Sequence, residues 1–219
     1  MVDAADIDYK AEVVRKGIHL SSLSIPIIYY FIDRDTALTI LLPVTFAFLF
    51  VDLLRYYHTP TANLFYKVFR FMLRKHEQDD TVKRLNGATN VLIAATLCVI
   101  VFPKLIVLSA FSILIISDST AALIGRRYGK RKFFQKSLEG SLAFFIFAVL
   151  VVGVTPKALY VPMEYVIGIV AALVGTVVEA GSLKIDDNLA IPLSVGVVMW
   201  GLYFIFFPTL NLFAVTIGR

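Results

Sequence analysis

Sulfur chemistry is almost absent from this chain. Its single cysteine, Cys98, excludes a disulfide framework and a cysteine-built metal site, and its apolar surroundings mark it as a packing residue. Charge is also scarce. Only 17% of the residues are Asp, Glu, Lys or Arg and 58% are apolar, whereas a soluble domain is about a quarter charged. A soluble globular protein is therefore excluded. No repeat, low-complexity tract or long linker divides the sequence, so a single domain over 1–219 is expected. The start also lacks the basic residues and small-residue cleavage site of a secretory signal, carrying Asp3, Asp6, Asp8 and Glu12 instead.

What the chain has is apolar length. Runs of roughly 18 to 22 residues recur, each long enough to cross a ~30 Å hydrocarbon core. The expected fold is all-α: a polytopic integral membrane protein of about seven transmembrane helices. The spans fall over 17–32, 36–54, 86–102, 104–124, 138–155, 162–183 and 189–208. Between the second and third, "TANLFYKVFRFMLRK" puts Leu64, Phe65, Val68, Phe69, Met72 and Leu73 on one helical face. Lys67, Arg70, Arg74 and Lys75 lie elsewhere around that helix, the pattern of an amphipathic helix lying on an anionic membrane surface.

Basic residues orient these spans. Of 21 Lys and Arg residues, only Arg34, Lys104, Lys157 and Arg219 fall on one side of the scheme. The crowded side is cytoplasmic by the positive-inside rule. A multi-pass protein of the cell membrane is expected, with its N-terminus cytoplasmic and its C-terminus extracytoplasmic. The same asymmetry explains the net charge of +5 without a nucleic-acid partner.

The acids then become informative. Asp52, Asp118, Glu139, Glu179, Asp186 and Asp187 all fall at the cytoplasmic ends of spans or in cytoplasmic loops. Asp118 lies ~21 Å along the helix that begins near Lys104, and Glu179 reaches a similar depth. Carboxylates inside a membrane are costly and usually mark a site. A transporter could carry them too, but alternating access places its site near the midplane, often between inverted repeats. Here the acids crowd one face and no repeat is visible.

Carboxylates beside a cluster of Arg and Lys suit a nucleoside triphosphate with Mg²⁺, the acids holding the metal and the cations neutralising phosphate. "GRRYGK" is not a Walker A loop: it is one residue short and has no Ser or Thr after Lys130. Gly125 and Gly129 suit either helix packing or a turn hugging phosphate. In "KSLEG", Ser137 can cap the fifth span, whose first N–H groups would face an anion beside Lys136. A capping box would need an acid where Gly140 stands, so Glu139 is not explained by capping. A cation between Glu139 and a phosphate would explain it. His19, three residues after Lys16, is either a hydrogen-bonded structural residue or part of the site. Asn86 and Asn90 share the start of the third span, and Asp186, Asp187 and Asn188 lie between the last two, where Asn also suits a turn.

Four stretches carry a family resemblance: "EVVRKGIHL", "RLNGATNVLIAATLCVIVFPK", "SDSTAALIGRRYGKRKFFQKSLEGSLAFF" and "GTVVEAGSLKIDDNLAIPL". They resemble the CTP-dependent lipid kinases, comprising dolichol kinase, phytol kinase, the yeast-type diacylglycerol kinase and their prokaryotic diacylglycerol/polyprenol kinase relatives. The resemblance implies Mg²⁺-dependent transfer of the γ-phosphoryl group of CTP to a membrane lipid alcohol at the cytoplasmic face. It implies that Arg126, Arg127, Lys130, Lys136, Ser137 and Glu139 hold the nucleotide and its metal, with Asp118 a metal ligand or the base for the lipid hydroxyl. His19 joins the catalytic set, Asn86, Asp187 and Asn188 the nucleotide site, and Glu179 the metal ligands. Phosphatidate cytidylyltransferase is the rival, attacking the α-phosphorus instead. Its C-terminal "HGG…DR…D" signature is absent, and "KIDDN" takes up that end.

Overall fold

The computed structural model describes residues 4–58, 60, 85–181 and 185–217. Eight α-helices carry the fold among the described residues: α1 (Ala4–Ser21), α2 (Ser24–Phe31), α3 (Arg34–Leu54), α4 (Gly87–Val101), α5 (Lys104–Tyr128), α6 (Leu138–Val154), α7 (Pro162–Gly181) and α8 (Asp187–Phe206). A short antiparallel hairpin, β1 (Lys132–Phe133) and β2 (Lys136–Ser137), joins α5 to α6, and a 3₁₀ turn covers Leu212–Ala214. The amphipathic helix expected over 61–75 lies outside the described residues.

Polar side chains start several of these helices where the sequence changes from polar to apolar. Asp33 accepts the Thr36 N–H at 2.8 Å to open α3, and Asn86 accepts the Thr89 N–H at 3.0 Å to open α4. Ser137 accepts from Gly140 at 3.2 Å at the start of α6, and Asp186 accepts from Asn188 at 3.0 Å at the start of α8. Each satisfies an N–H group that the first helical turn leaves free.

Four helices, α3, α5, α7 and α8, are long and apolar enough to cross a membrane. The apolar helices α4 and α6 are shorter, at 15 and 17 residues. The first expected span, 17–32, is divided between the end of α1 and α2. Ser22 and Leu23 close a tight turn onto the carbonyls of His19 and Leu20 at 3.0 Å each. Pro26 then sits in the first turn of α2, where its missing N–H costs nothing. In a continuous helix its ring would clash with the carbonyl of Ser22, so the chain breaks just before it.

Helix α5 is the centre of the bundle. Of its most apolar stretch 78% is buried, against 17% for the peripheral α3. Ile106, Phe111, Ile113, Leu114 and Ile115 are fully enclosed, while Phe46 on α3, Leu150 on α6 and Phe204 on α8 face outward. An apolar exterior suits a lipid surround. Helix α5 packs most extensively on α6, and also against α1, α2 and α8. Glycine makes the α5–α6 approach possible: a Cβ on Gly140 would lie 3.0 Å from the Ala121 oxygen and 3.2 Å from the Gly125 Cα. Gly125 is therefore a helix-packing position.

Candidate active site

The segment after α5 folds back sharply. A Cβ on Gly129 would lie 2.2 Å from the Gly125 oxygen and 2.7 Å from the Ser137 Cβ, so only glycine fits there. The hairpin pairs Lys132 with Ser137 and Phe133 with Lys136, and its turn holds Phe134 at φ 50°, a left-handed backbone uncommon for a bulky residue. Two backbone bonds fix it: Gln135 N–H donates to the Ala180 oxygen at the end of α7 (3.2 Å), and Leu138 N–H donates to the Arg131 oxygen (2.8 Å). Lys136 is thereby laid against α7 and α8. Its Nζ lies 2.7 Å from Glu179 Oε1 and 3.0 Å from Asp187 Oδ2. Burial works against the ammonium charge, but the Asp187 and Glu179 carboxylates outweigh it and hold the Lys136 pKa above that of an ordinary lysine.

Asp118 lies on α5, buried, and one of its oxygens receives the Lys16 ammonium from α1. His19 Nε2 is 3.6 Å from the same oxygen. Lys16 and His19, three residues apart on one helix, share a face, so α1 docks both onto Asp118 together. The charges of Lys136 and Glu179 are also felt at Asp118. Six ionisable side chains from α1, α5, β2, α7 and α8 thus form one cluster. Glu179 is 3% exposed, and its second oxygen, Oε2, has no hydrogen-bond partner among the described residues. A buried carboxylate oxygen in that state is open to a cation.

The other expected site residues have different partners. Glu139 stands in the first turn of α6, where its Oε2 accepts the N–H groups of Lys130 (3.1 Å) and Arg131 (3.3 Å). The expected metal set of Asp118, Glu139 and Glu179 is therefore not assembled. Among the described residues no three His, Cys, Asp or Glu side chains are grouped to hold an ion. The reason is local: Glu139 is spent on the loop backbone while Asp118 faces α1. Arg126 reaches Glu12 at 3.3 Å, and Arg127 lies over the Tyr9 ring at 5.6 Å, so both meet α1. The Lys130 side chain is exposed. Ser137 is the α6 cap. Asn86 caps α4 and donates its own N–H to Asp52 at 2.7 Å, which also pairs with Arg55 at 3.0 Å. Asn188 donates from backbone and side chain to Asp186, at 3.0 and 2.8 Å, which makes it a turn residue at the start of α8. Its side-chain nitrogen lies 4.0 Å from where a Gly87 Cβ would be, so the starts of α4 and α8 adjoin.

Two residues here were not among the expected site residues. Lys16 is 3% exposed and is the partner of Asp118, and Glu12 is 4% exposed and joins Arg15 to Arg126. The spacing of Lys16 to His19 was the sequence signal for the first. Glu12 opens the stretch "EVVRKGIHL", but its residue type alone does not separate it from the acids before it.

Two relatives match the chain. Uncharacterized protein RP860 of Rickettsia prowazekii is 33% identical over 189 residues, which cover 85% of this chain and 92% of that protein. Uncharacterized protein MJ1137 of Methanocaldococcus jannaschii is 40% identical over 94 residues, covering 41% of this chain and 45% of that protein. No family model matches the chain, and no solved structure matches it.

Proposed function

We propose that this chain, which belongs to the same family as Uncharacterized protein RP860 of Rickettsia prowazekii, is a CTP-dependent lipid kinase of the membrane. In this reading seven spans place the N-terminus and the active site at the cytoplasmic face. The acceptor is a lipid alcohol of the polyprenol, phytol or diacylglycerol class, as the sequence resemblance implies. The observation that carries the reading is the convergence of Lys16, His19, Asp118, Lys136, Glu179 and Asp187 from five separate elements.

That arrangement suits phosphoryl transfer, which needs positioning and charge neutralisation more than covalent chemistry from the protein. Lys136 is the group best placed to take up phosphate charge, because it reaches the cluster from the basic loop. Mg²⁺ is commonly bound by one or two carboxylates together with substrate phosphates. The open, buried Glu179 Oε2 fits that share, so Glu179 would hold the ion, with Asp118 beside it as either a second ligand or the base. When bound, it supplies further neutralisation of the phosphate oxygens. The lipid hydroxyl oxygen forms a bond to the γ-phosphorus as the bond from that phosphorus to the bridging oxygen breaks. The hydroxyl proton leaves to a carboxylate, for which Asp118 is the candidate, and CDP departs.

The test uses purified protein in lipid vesicles, CTP labelled at either the α- or the γ-phosphate, and a panel of polyprenol, phytol and diacylglycerol. The expected result is γ-label in one lipid and no α-label. Appearance of α-label in lipid would mean nucleotidyl transfer and overturn the kinase assignment. Absence of any labelled lipid, with uptake of a solute into the vesicles, would favour transport.

A further inference from the structure

Glu139 is the one expected metal ligand that points away from the ionisable cluster and into the loop. Its Oε2 takes two consecutive backbone N–H groups, those of Lys130 and Arg131, at 3.1 and 3.3 Å. The next bond along closes the ring: Leu138, adjacent to Glu139, donates its N–H to the Arg131 oxygen at 2.8 Å. Side chain and backbone at the start of α6 therefore grip both ends of the same stretch of loop. From that stretch the chain enters β1, turns at Phe134, and returns through β2 with Lys136 aimed at Glu179 and Asp187. We infer that Glu139 is a positioning residue: its carboxylate clasps the backbone of the basic loop and so sets where Lys130, Arg131 and Lys136 stand for the nucleotide. The inference rests on the kinase reading for what the loop holds, and on geometry alone for the clasp.

The chemistry separates this role from metal ligation. Successive amide N–H groups converging on one oxygen ask only for an acceptor with two lone pairs. A glutamine carbonyl supplies both lone pairs, although the bonds lose their charge assistance. A divalent cation asks for negative charge, which glutamine lacks. Glu139→Gln should therefore preserve a clasp and damage a metal site, and Glu139→Ala should abolish either. Partial exposure of Glu139 makes both variants compatible with a folded bundle.

The experiment has two arms on the full chain in detergent. The first, without nucleotide, follows amide hydrogen exchange in the peptide covering residues 129–138. In Glu139→Ala the two clasped amides should exchange roughly tenfold faster, the scale of losing a charge-assisted bond, and in Glu139→Gln no more than about threefold faster, since a neutral bond keeps about half the strength. The second arm measures CTP kinetics. Glu139→Ala should lower kcat/KM for CTP about five- to tenfold with an unchanged Mg²⁺ requirement, because Lys130, Arg131 and Lys136 are misplaced for bound nucleotide and transition state alike. Glu139→Gln should recover most of that loss. Unchanged exchange in Glu139→Ala would overturn the clasp. So would a Gln variant as poor in kcat as the Ala variant with a raised Mg²⁺ requirement. If the wild type transfers no phosphoryl group, the kinase reading fails while the exchange arm still decides the clasp.

Discussion

Lys136 sits between carboxylates supplied by two different helices, and that placement defines what its loss should do. Its pKa is raised, so the stabilisation from this pairing is fully present below the ordinary lysine pKa of about 10.4 and is lost as pH rises through the higher folded value. At neutral pH it is a fixed cation. Lys136→Ala should cost on the order of tenfold or more in kcat/KM, because it removes a contact to charge that shifts in the transition state. Asp118→Asn keeps the shape and a carbonyl oxygen but loses charge and basicity. We expect a fall of at least ~10²-fold in kcat, the scale of one positioned acid–base group. Partial rescue by high Mg²⁺ would identify a metal ligand; no rescue, with unchanged Mg²⁺ affinity, would identify a base. Normal turnover by residual folded Asp118→Asn protein would make the Lys16–Asp118 pair purely structural. The sequence exposed this pair incompletely. Asp118 was legible because a carboxylate deep in an apolar run is rare, whereas Lys16 lay among basic residues that topology alone explained. Which lysine meets which acid depends on how α1 docks on α5, a long-range fact with no local signature. The loop contacts of Glu139 were hidden for the opposite reason: its partners are backbone amides, which every sequence has.

The helices themselves were the legible part of the fold, because apolar length and a capping residue are both local properties. Asn86 and Ser137 mark the starts of α4 and α6 in the sequence as in the structure. The break at residues 22–23 was not anticipated, although Pro26 supplies its cause. A second polar centre at the other end of α7 also escaped notice. Glu164 is fully buried and accepts N–H groups from Ala158 (2.7 Å), Leu159 (2.9 Å) and Val161 (3.3 Å), together with the Tyr203 hydroxyl (2.7 Å). It fastens the loop before α7 to α8. Glu164→Ala would strand four donors, so a loss on the order of 3 kcal/mol is expected, read as a lower melting temperature in detergent. Glu164 and Glu179 are ~22 Å apart along α7. The kcat of the folded fraction should therefore stay within about twofold. Wild-type melting with lost turnover would instead make Glu164 part of the reaction.

For the molecule as a whole, the seven-span reading puts the basic loop and the Glu164 end on opposite sides of the membrane. Helix α6 is the link between them and one of the two apolar helices that are short for a span. Its 17 residues rise ~25 Å, short of a ~30 Å core. Its flanks extend it. Thr155 and the Lys157 ammonium satisfy the last turn at one end, with Lys157 Nζ 2.6 Å from the carbonyls of Val152 and Thr155, and Ser137 caps the other. A short span of this kind is tolerated by local bilayer thinning at modest cost. Lys132 and Leu159 are both exposed and bracket α6. Cys98 has no exposed surface, so the native thiol should stay silent. In intact cells a membrane-impermeant thiol reagent should label Leu159→Cys directly and Lys132→Cys only after permeabilisation. Labelling of both variants from the same side would mean that α6 does not cross. The nucleotide loop and the Glu164 end would then share one aqueous face, and the seven-span scheme would have to lose this helix. The reverse pattern, with Lys132→Cys labelled from outside, would keep the crossing but invert the protein. That would put the basic loop beyond the reach of cytoplasmic CTP and remove the premise of a kinase at the inner face.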